Sequence, residues 1–260
     1  MAEKPIVAKI GAGVLGEGDT LFADLVSSQR DGVRIVLVHG GGSLISQWQE
    51  VHGIEARFVR GLRVTDGSAL EVATAVLAGL VNKVLVASLQ AEGAKAVGLS
   101  GVDGGILQAE VLDSELGFVG RVIAVDPGPL NTLMNEGYLP VVAPIAFQQG
   151  GGEVALGGIL NVNADTAAAE LAAALGARRL IYLTDVPGVQ NGSGESVAHL
   201  SREDAQDLVK SGVVSGGMIP KVEGCLRAAE DSVETCILDG RRRHALLEAV
   251  QGRSSGTRIG

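Results

Sequence analysis

The sequence predicts an α/β protein, a three-layer αβα sandwich around a central, mainly parallel, open sheet of about eight strands. Three observations lead to this prediction. Short β-branched apolar runs alternate with longer segments whose apolar residues recur at helical spacing. The 38 glycines punctuate the apolar runs instead of forming tracts, which is typical of many tight turns. Hydrophobic residues make up 46% of the chain but aromatic residues only 3%, so Ala, Val, Leu and Ile must build the core.

The elements follow from this alternation. We predict strands over residues 6–10, 35–38, 57–64, 96–99, 107–111, 117–125, 139–145, 179–183, 235–238 and 258–259. We predict helices over residues 20–29, 44–52, 68–89, 128–135, 164–175, 203–210, 220–230 and 244–250. The strands within 107–125 look like a meander and residues 146–160 like an exposed hairpin, so we expect a mixed sheet. No linker divides the chain, and we expect one domain, 1–260, with an N-terminal lobe, 1–177, and a C-terminal lobe, 178–260.

Bulk properties exclude several classes of function. The net charge of −9 disfavours nucleic acid or an anionic membrane as a partner. No apolar run in the sequence approaches the ~20 residues that span a bilayer, and the first residues lack the layout of a secretion signal. The two cysteines have neither metal-ligand spacing nor a disulfide framework. We therefore expect a cytoplasmic protein with no metal site of its own.

The junction after the second predicted strand indicates an anion site. The apolar run 35–38 ends in His39 and three glycines, and a helical pattern follows. A strand, glycines and a helix in this order present bare backbone N–H groups at the positive end of a helix. Glycines also let a negatively charged group approach the main chain without meeting a Cβ atom.

Polar residues at three other junctions are candidates for the same site. Lys9 interrupts the first apolar strand two residues before a glycine turn, where its ammonium either reaches solvent or lies beside a phosphate. Lys221 stands at the opening of a helix, where a cation opposes the helix dipole, which favours a role towards a ligand. Asn161, Asn163 and Asp165 alternate into an alanine-rich helix. Helix capping accounts for one of the three, by Asn163 or Asp165, but not for all.

The segment 11–16 offers a different interpretation. It matches G-x-G-x-x-G directly after a strand, the pattern of dinucleotide-binding proteins. Two features oppose an NAD-dependent oxidoreductase: Lys9 lies inside the preceding strand, and the next strand ends in His39-Gly40 instead of an acidic residue for a ribose. A plain tight turn is the simpler alternative.

Taken together, the motifs resemble the amino acid kinase family over nearly the whole chain. In order, they are VHGGG (38–42), GLRVT (61–65), VNK (81–83), VGLSG (97–101), NVNAD (161–165), LTDVPG (183–188), GGMIPK (216–221) and GTRI (256–259). Within the family, the resemblance is to the enzymes of arginine biosynthesis that phosphorylate the side-chain carboxylate of N-acetyl-L-glutamate with ATP. The implied fold is the amino acid kinase fold.

The resemblance implies roles for individual residues. Lys9 and Lys221 would neutralise the charge that develops on the transferring phosphoryl group, and Asp165 would orient both lysines. Backbone N–H groups of Gly41 and Gly42 would hold that group and its acceptor. Arg63 would clamp the α-carboxylate of the substrate, ideally as a bidentate fork. The remaining implied contacts are Asn161 and Asn163 to the substrate, Gly11 and Ala12 to phosphate, and Asp185, Val186, Pro187, Gly188, Val189, Val213, Val214 and Ser215 to the nucleotide.

The resemblance also implies that Mg²⁺ arrives on the phosphates of ATP and that the chain forms a homodimer. A rival within the family phosphorylates aminoadipate or glutamate linked to a carrier protein, and the acidic surface disfavours an acidic carrier. A third possibility is a sensor that binds the ligands without catalysis, against which Lys9, Lys221 and Asp165 argue.

Two departures from the family pattern carry expectations. Ala12 replaces a glycine of the usual first loop, and we expect Ala12→Gly to change catalytic efficiency by less than about tenfold. Arginine-inhibited relatives carry an extra helix ahead of the first strand, and Lys9 comes too early in this sequence for it. We therefore expect no inhibition by arginine.

Overall fold

The strands and helices alternate as the sequence predicts. A computed structural model describes residues 3–11, 13–14, 20–150, 153–253 and 256–260. The strands are β1 (Ile6–Ile10), β2 (Ile35–His39), β3 (Phe58–Val59), β4 (Leu62–Arg63), β5 (Ala96–Ser100), β6 (Leu107–Val111), β7 (Val119–Val125), β8 (Leu139–Ala143), β9 (Ile145–Gln148), β10 (Ile159–Val162), β11 (Arg179–Thr184), β12 (His199–Leu200), β13 (Glu234–Asp239) and β14 (Thr257–Ile259). The helices are α1 (Leu21–Arg30), α2 (Gly42–Val51), α3 (Gly67–Thr74), α4 (Asn82–Ala91), α5 (Gly128–Asn135), α6 (Ala164–Ala174), α7 (Arg202–Lys210), α8 (Ile219–Glu230) and α9 (Ala245–Val250).

Eight strands form the central sheet in the order β12-β14-β13-β11-β1-β2-β8-β5. All neighbouring pairs in it are parallel except β13 and β14. The predicted sheet of about eight mainly parallel strands is confirmed. The predicted meander, however, is not part of this sheet. β6 and β7 join the hairpin of β9 and β10 in a separate four-stranded barrel, so the mixed pairing of the central sheet comes from β14 instead.

Helices cover both faces of the sheet, and the alternation of β1 assigns each side chain to one of them. Ile6, Ala8 and Ile10 lie in an apolar cluster with residues of α1, α4 and α9. Val7 lies in the opposite cluster with residues of α6 and α8. Because side chains alternate between faces along a strand, Lys9 shares the face of Val7.

The carboxyl ends of three strands meet at the centre of the sheet. Ile10 pairs with His39 of β2 on one side and with Leu183 of β11 on the other. The loops that follow these strands therefore emerge side by side at one edge. In open α/β sheets, ligands bind at this edge.

One long helical run is unusually apolar. Residues Gly67–Ala91 form a continuous 25-residue helix made of α3, a π-helical segment over Ala75–Val81 and α4. By length and composition alone this run is able to cross a membrane, contrary to the expectation that no apolar segment approaches that length. Some of its side chains, such as Leu70 and Leu89, are buried within the protein, and about 39% of the apolar window is buried in this way.

Candidate active site

Lys9 and Asp165 form a buried ion pair at the carboxyl edge of the sheet. The Lys9 Nζ lies 2.8 Å from Asp165 Oδ1, and both side chains are 7% exposed. Asp165 is the second residue of α6, whose N-terminus is capped by Asn163: its Oδ1 accepts from the backbone N–H of Asp165 (2.8 Å) and of Thr166 (3.2 Å). The cap therefore fixes the helix end that presents the carboxylate.

Lys221 binds the second oxygen of the same carboxylate. It is the third residue of α8, and its Nζ lies 3.1 Å from Asp165 Oδ2 and 3.0 Å from the Gly217 carbonyl oxygen, to which it donates. The carbonyl and the carboxylate together offset the unfavourable position of a cation near a helix N-terminus. One carboxylate thus holds two ammonium groups close together.

Burial and the neighbouring charges of Lys221 and Asp165 set the pKa of Lys9. Burial lowers the pKa of Lys9, the nearby charge of Lys221 lowers it further, and Asp165 acts in the opposite direction. The Tyr182 hydroxyl donates to the Asp165 backbone carbonyl at 2.7 Å and ties α6 to β11 beneath the cluster. Two positive charges held beside one negative charge form a receptive site for an anion.

The glycines after β2 lie beside Lys9. The helix α2 begins at Gly42, two residues earlier than predicted, so the glycines themselves form its N-terminus. A Cβ atom added to Gly40 would lie 3.9 Å from Lys9 Nζ, which places this backbone beside the ammonium. A Cβ atom on Gly41 would lie 2.8 Å from Leu77 Cδ2, so the end of the Leu77 side chain would have to shift to admit it. Bare N–H groups and an ammonium thus face the same space.

Arg63, at the end of the β3–β4 hairpin, is anchored to α2. Its Nη2 donates to the Gly42 carbonyl (2.8 Å) and to the Ser46 hydroxyl (2.9 Å), and its Nη1 donates to Gln49 Oε1. Both Nη2 hydrogens are therefore occupied, and either parallel pair of guanidinium N–H groups includes Nη2. A bidentate clamp on a carboxylate would require one of these two bonds to break. Burial lowers the pKa of Arg63.

A cavity of about 220 Å³ brings seven of the predicted site residues together. Asn161 lies on its wall and donates from Nδ2 to the Thr65 hydroxyl at 3.2 Å. Its lining includes Lys9, Gly41, Gly42, Arg63, Asn161, Asn163 and Asp165, all of which were predicted as site residues. Asn163 lines the cavity although its amide oxygen caps α6.

Comparison with known proteins places the chain in a family. The Amino acid kinase family profile matches residues 4–239. A protein of Dehalococcoides mccartyi strain 195 named acetylglutamate kinase is 42% identical over 254 residues, covering 98% of this chain and 93% of that protein. The chain belongs to the amino acid kinase family. The chloroplastic acetylglutamate kinase of Arabidopsis thaliana is also 42% identical, over 98% of this chain and 75% of that protein.

A solved relative has the same fold. The N-acetylglutamate synthase of Neisseria gonorrhoeae, determined with coenzyme A and N-acetyl-glutamate, matches with a TM-score of 0.83 and 27% identity. The match covers 99% of this chain and 59% of that one. As a member of a kinase family, the chain is expected to use ATP, and the dinucleotide-binding alternative for residues 11–16 gains no support.

The first predicted nucleotide segment, 185–189, follows the carboxyl end of β11, and the second, 213–215, precedes α8. Asp185 and Pro187 are exposed, Val186 is half-buried, and Gly188 and Val189 are buried. Val189 donates its N–H to the Thr257 hydroxyl and accepts at its carbonyl from Val197, so its N–H is not available to a ligand in this conformation.

The second nucleotide segment, 213–215, also contains both exposed and buried residues. Val213 and Ser215 are exposed, whereas Val214 is 3% exposed and packs in the core. In the glycine loop after β1, Gly11 donates to the Leu183 carbonyl at 3.1 Å. Ala12 lies outside the described residues.

Sequence reasoning missed Gln49, Ser46 and Tyr182 as supporting residues. Gln49 is fully buried on the apolar face of α2, one helical turn from Ile45. A polar side chain at a core position of an amphipathic helix was the available signal. Tyr182 offered no comparable signal, because aromatic residues in strands usually serve packing alone.

Proposed function

We propose that this protein transfers the γ-phosphoryl group of ATP to the side-chain carboxylate of N-acetyl-L-glutamate. The products are ADP and N-acetyl-L-glutamyl 5-phosphate, at an early step of L-arginine biosynthesis. The observation that carries the proposal is the cavity in which Lys9, Asp165 and the glycine N-terminus of α2 face one another, with Lys221 on the same carboxylate. Relatives of 42% identity over almost the whole chain bear the name of this activity.

The arrangement suits a reaction between two anions. A side-chain carboxylate with a pKa near ~4.3 is already ionised at neutral pH and requires no general base. Its main obstacle is repulsion from the triphosphate, so positive groups and in-line positioning supply the catalysis. A carboxylate oxygen bonds to the γ-phosphorus while the bond from that phosphorus to the β,γ-bridging oxygen breaks and ADP departs. Lys9 and Lys221 neutralise the charge, and Asp165 keeps both ammonium groups in place.

The substrate is held by groups around the cavity. Gly41 and Gly42 offer N–H groups to the reacting carboxylate and the phosphoryl group. Arg63 binds the α-carboxylate, through its remaining N–H groups or after release of Ser46. Asn161 and Asn163 offer side-chain amides to the polar groups of the substrate. The family resemblance also assigns Gly11 and Ala12 to the phosphates.

We assign Mg²⁺ to the phosphates of ATP. Among the described residues there is no group of three or more acidic, histidine or cysteine side chains able to hold a metal ion. Both oxygens of Asp165 contact ammonium groups. A nucleotide-borne ion fits this donor set, and it would neutralise phosphate charge alongside the lysines.

The two lobes divide these tasks. Residues 1–177 carry the acceptor site and, we propose, the contacts of a homodimer, to which we assign the exposed Leu80 and Val84 of the long helix. Residues 178–260 hold the nucleotide through the accessible Asp185, Val186, Pro187, Val213 and Ser215, and the buried Gly188, Val189 and Val214 support these two segments. We place the enzyme in the cytoplasm, with no nucleic-acid or membrane partner.

Turnover with a panel of acceptors tests the proposal. ADP release is measured with N-acetyl-L-glutamate, N-acetyl-L-aspartate, L-glutamate and a carrier-type peptide ending in glutamate. We expect N-acetyl-L-glutamate to give the highest kcat/KM and Lys221→Ala to lower kcat by at least about a hundredfold. Lys210→Ala, on an exposed helix face, is the matched control. Preference for the peptide would favour the carrier-linked rival, and an unchanged Lys221→Ala would refute the assigned chemistry.

A further inference from the structure

The proposed reaction does not use the motifs VNK (81–83) and VGLSG (97–101), and the structure joins both to His39 through hydrogen bonds. His39, the residue before the glycines, is 1% exposed, and Asn82, at the start of α4, is fully buried. The Asn82 Nδ2 lies 3.2 Å from His39 Nε2. The neighbouring Lys83 and the strand β5 complete a chain of hydrogen bonds behind the glycine loop.

The Lys83 ammonium fixes the donor and acceptor of each hydrogen bond in this network. Lys83 Nζ, which can only donate, lies 2.9 Å from Asn82 Oδ1 and 3.1 Å from the Gly98 carbonyl. The other amide atom must therefore be the nitrogen. Two carbonyl oxygens, which can only accept, confirm this orientation: Nδ2 lies 3.2 Å from the Leu99 oxygen and 2.9 Å from the Val141 oxygen.

The orientation of Asn82 selects one tautomer of His39. Asn82 Nδ2 has two hydrogens and three acceptors around it, the Leu99 oxygen, the Val141 oxygen and His39 Nε2, so it shares them among the three. An amide nitrogen accepts no hydrogen bond, so Nε2 carries no proton, and the proton of the neutral ring resides on Nδ1, beside a carbonyl that can only accept. Nδ1 lies 2.9 Å from the Gly40 carbonyl oxygen and donates to it. Burial lowers the pKa of His39 to about 4, and the positive charges of Lys9 and Lys83, which face it, act in the same direction. The ring is therefore neutral at physiological pH.

The bond to Gly40 sets the direction of the next N–H group. In a trans peptide, the carbonyl of one residue and the N–H of the next point in opposite directions. A Gly40 carbonyl held on the His39 side turns the Gly41 N–H away from the ring, towards the cavity that Gly41 lines. Within the described part of the chain, the Gly41 N–H has no protein acceptor.

We propose that His39 is a positioning residue that, held by Asn82 and Lys83, aims the Gly41 N–H at the reacting carboxylate and phosphoryl group. This role rests on the proposed function. It explains why a buried histidine, an asparagine and a lysine lie together behind the glycine loop. It also explains Gly98, because a Cβ atom there would overlap Asn82 Oδ1 and displace the amide.

Two substitutions at His39 separate its two bonds. His39→Asn places an amide nitrogen near the former Nδ1 and keeps a donor for Gly40. His39→Gln reaches the former Nε2 position and keeps an acceptor for Asn82, but leaves the Gly40 carbonyl without its donor. We expect kcat to fall by about ten- to hundredfold in His39→Gln and by less than about threefold in His39→Asn. KM for ATP should change by less than about twofold in both.

His52 supplies the matched control. Its Nδ1 also lies beside a backbone carbonyl, that of Trp48 at 2.7 Å, but the residue is exposed at the end of α2. His52→Asn and His52→Gln should leave kcat unchanged. Equal kcat in wild type and His39→Gln would overturn the positioning role of His39 but leave the proposed function intact. A wild type that does not phosphorylate N-acetyl-L-glutamate would refute the proposed function, and with it this role.

A measurement on the wild-type protein keeps the test decisive if His39→Gln does not fold. The ¹⁵N spectrum of labelled histidine distinguishes a protonated Nδ1 from a protonated Nε2. With four histidines in the chain, single substitutions of the other three assign the His39 signals. The proposal requires a proton on Nδ1 across the pH range 6 to 8 expected for assay, whereas a proton on Nε2 would contradict it.

Discussion

Asp165→Asn should damage both the stability and the catalytic rate of this protein. The substitution keeps the size of the side chain but removes the negative charge from between two ammonium groups at 2.8 Å and 3.1 Å. With an effective dielectric constant of about 20, each pair contributes roughly 5–6 kcal/mol of attraction before desolvation is counted. Removing one partner from a buried ion pair typically costs about 3–5 kcal/mol. We expect a loss of that size in the free energy of unfolding.

The rate should acquire a pH dependence with a definite sign. Asp165 is the main influence that raises the pKa of Lys9 against burial and against the charge of Lys221. Without it the pKa of Lys9 falls further, so the amine loses its proton at a lower pH than in the wild type. Since the proposed role of Lys9 requires its charge, kcat of Asp165→Asn should rise as the pH is lowered from 9 towards 6.

The assay is kcat against pH for both proteins, with urea unfolding at each pH. Asp66→Asn is the matched control, because Asp66 caps α3 through a bond to the Ala69 N–H at 2.8 Å and asparagine caps equally well. A kcat within threefold of wild type and independent of pH in Asp165→Asn would refute the reasoning.

Three further predictions concern the glycine side of the site. Stability should be fully present above pH 6.5 and fall as the pH drops towards about 4, because unfolded His39 binds a proton that the native ring excludes. The loss is about 3 kcal/mol, measured by urea unfolding, and His39→Gln should lack this component. Gln49→Leu removes an acceptor of Arg63 and should raise KM for N-acetyl-L-glutamate about tenfold with KM for ATP unchanged, measured by steady-state kinetics; an unchanged KM for the acceptor would exclude this role. Gly41→Ala should lower kcat at least about tenfold by contact with Leu77, and the double variant with Leu77→Ala should recover part of it; no recovery would show that the methyl group blocks the ligand instead.

Local patterns predicted most elements because each depends on neighbouring residues. The runs at 6–10 and 107–111 coincide with β1 and β6, since β-branched runs and glycine turns signal strands directly. The four-stranded barrel was not foreseen, because the pairing of β6 with β9 and of β7 with β10 joins segments separated by dozens of residues. Hydrophobic alternation gives the face of a strand but not its partner.

In the site as well, the sequence predicted some features, and others depend on contacts that only the folded chain makes. Lys9, Asp165 and Lys221 were proposed together through the family resemblance, since no periodicity relates positions so far apart in the chain. The position before an alanine-rich helix predicted a cap by Asn163 or Asp165, and the structure identifies Asn163. The bonds of Arg63 to α2 and of His39 to Asn82 were not, because they depend on side-chain directions that only the folded chain establishes.

Trapping the product tests the central claim most directly. The protein is incubated with ATP, Mg²⁺, N-acetyl-L-glutamate and hydroxylamine, which converts an acyl phosphate into a stable hydroxamate. The account predicts one hydroxamate per ADP released, on the side-chain carboxyl group, with none formed by Lys221→Ala. ADP release without hydroxamate, or a hydroxamate on the α-carboxyl group, would contradict it.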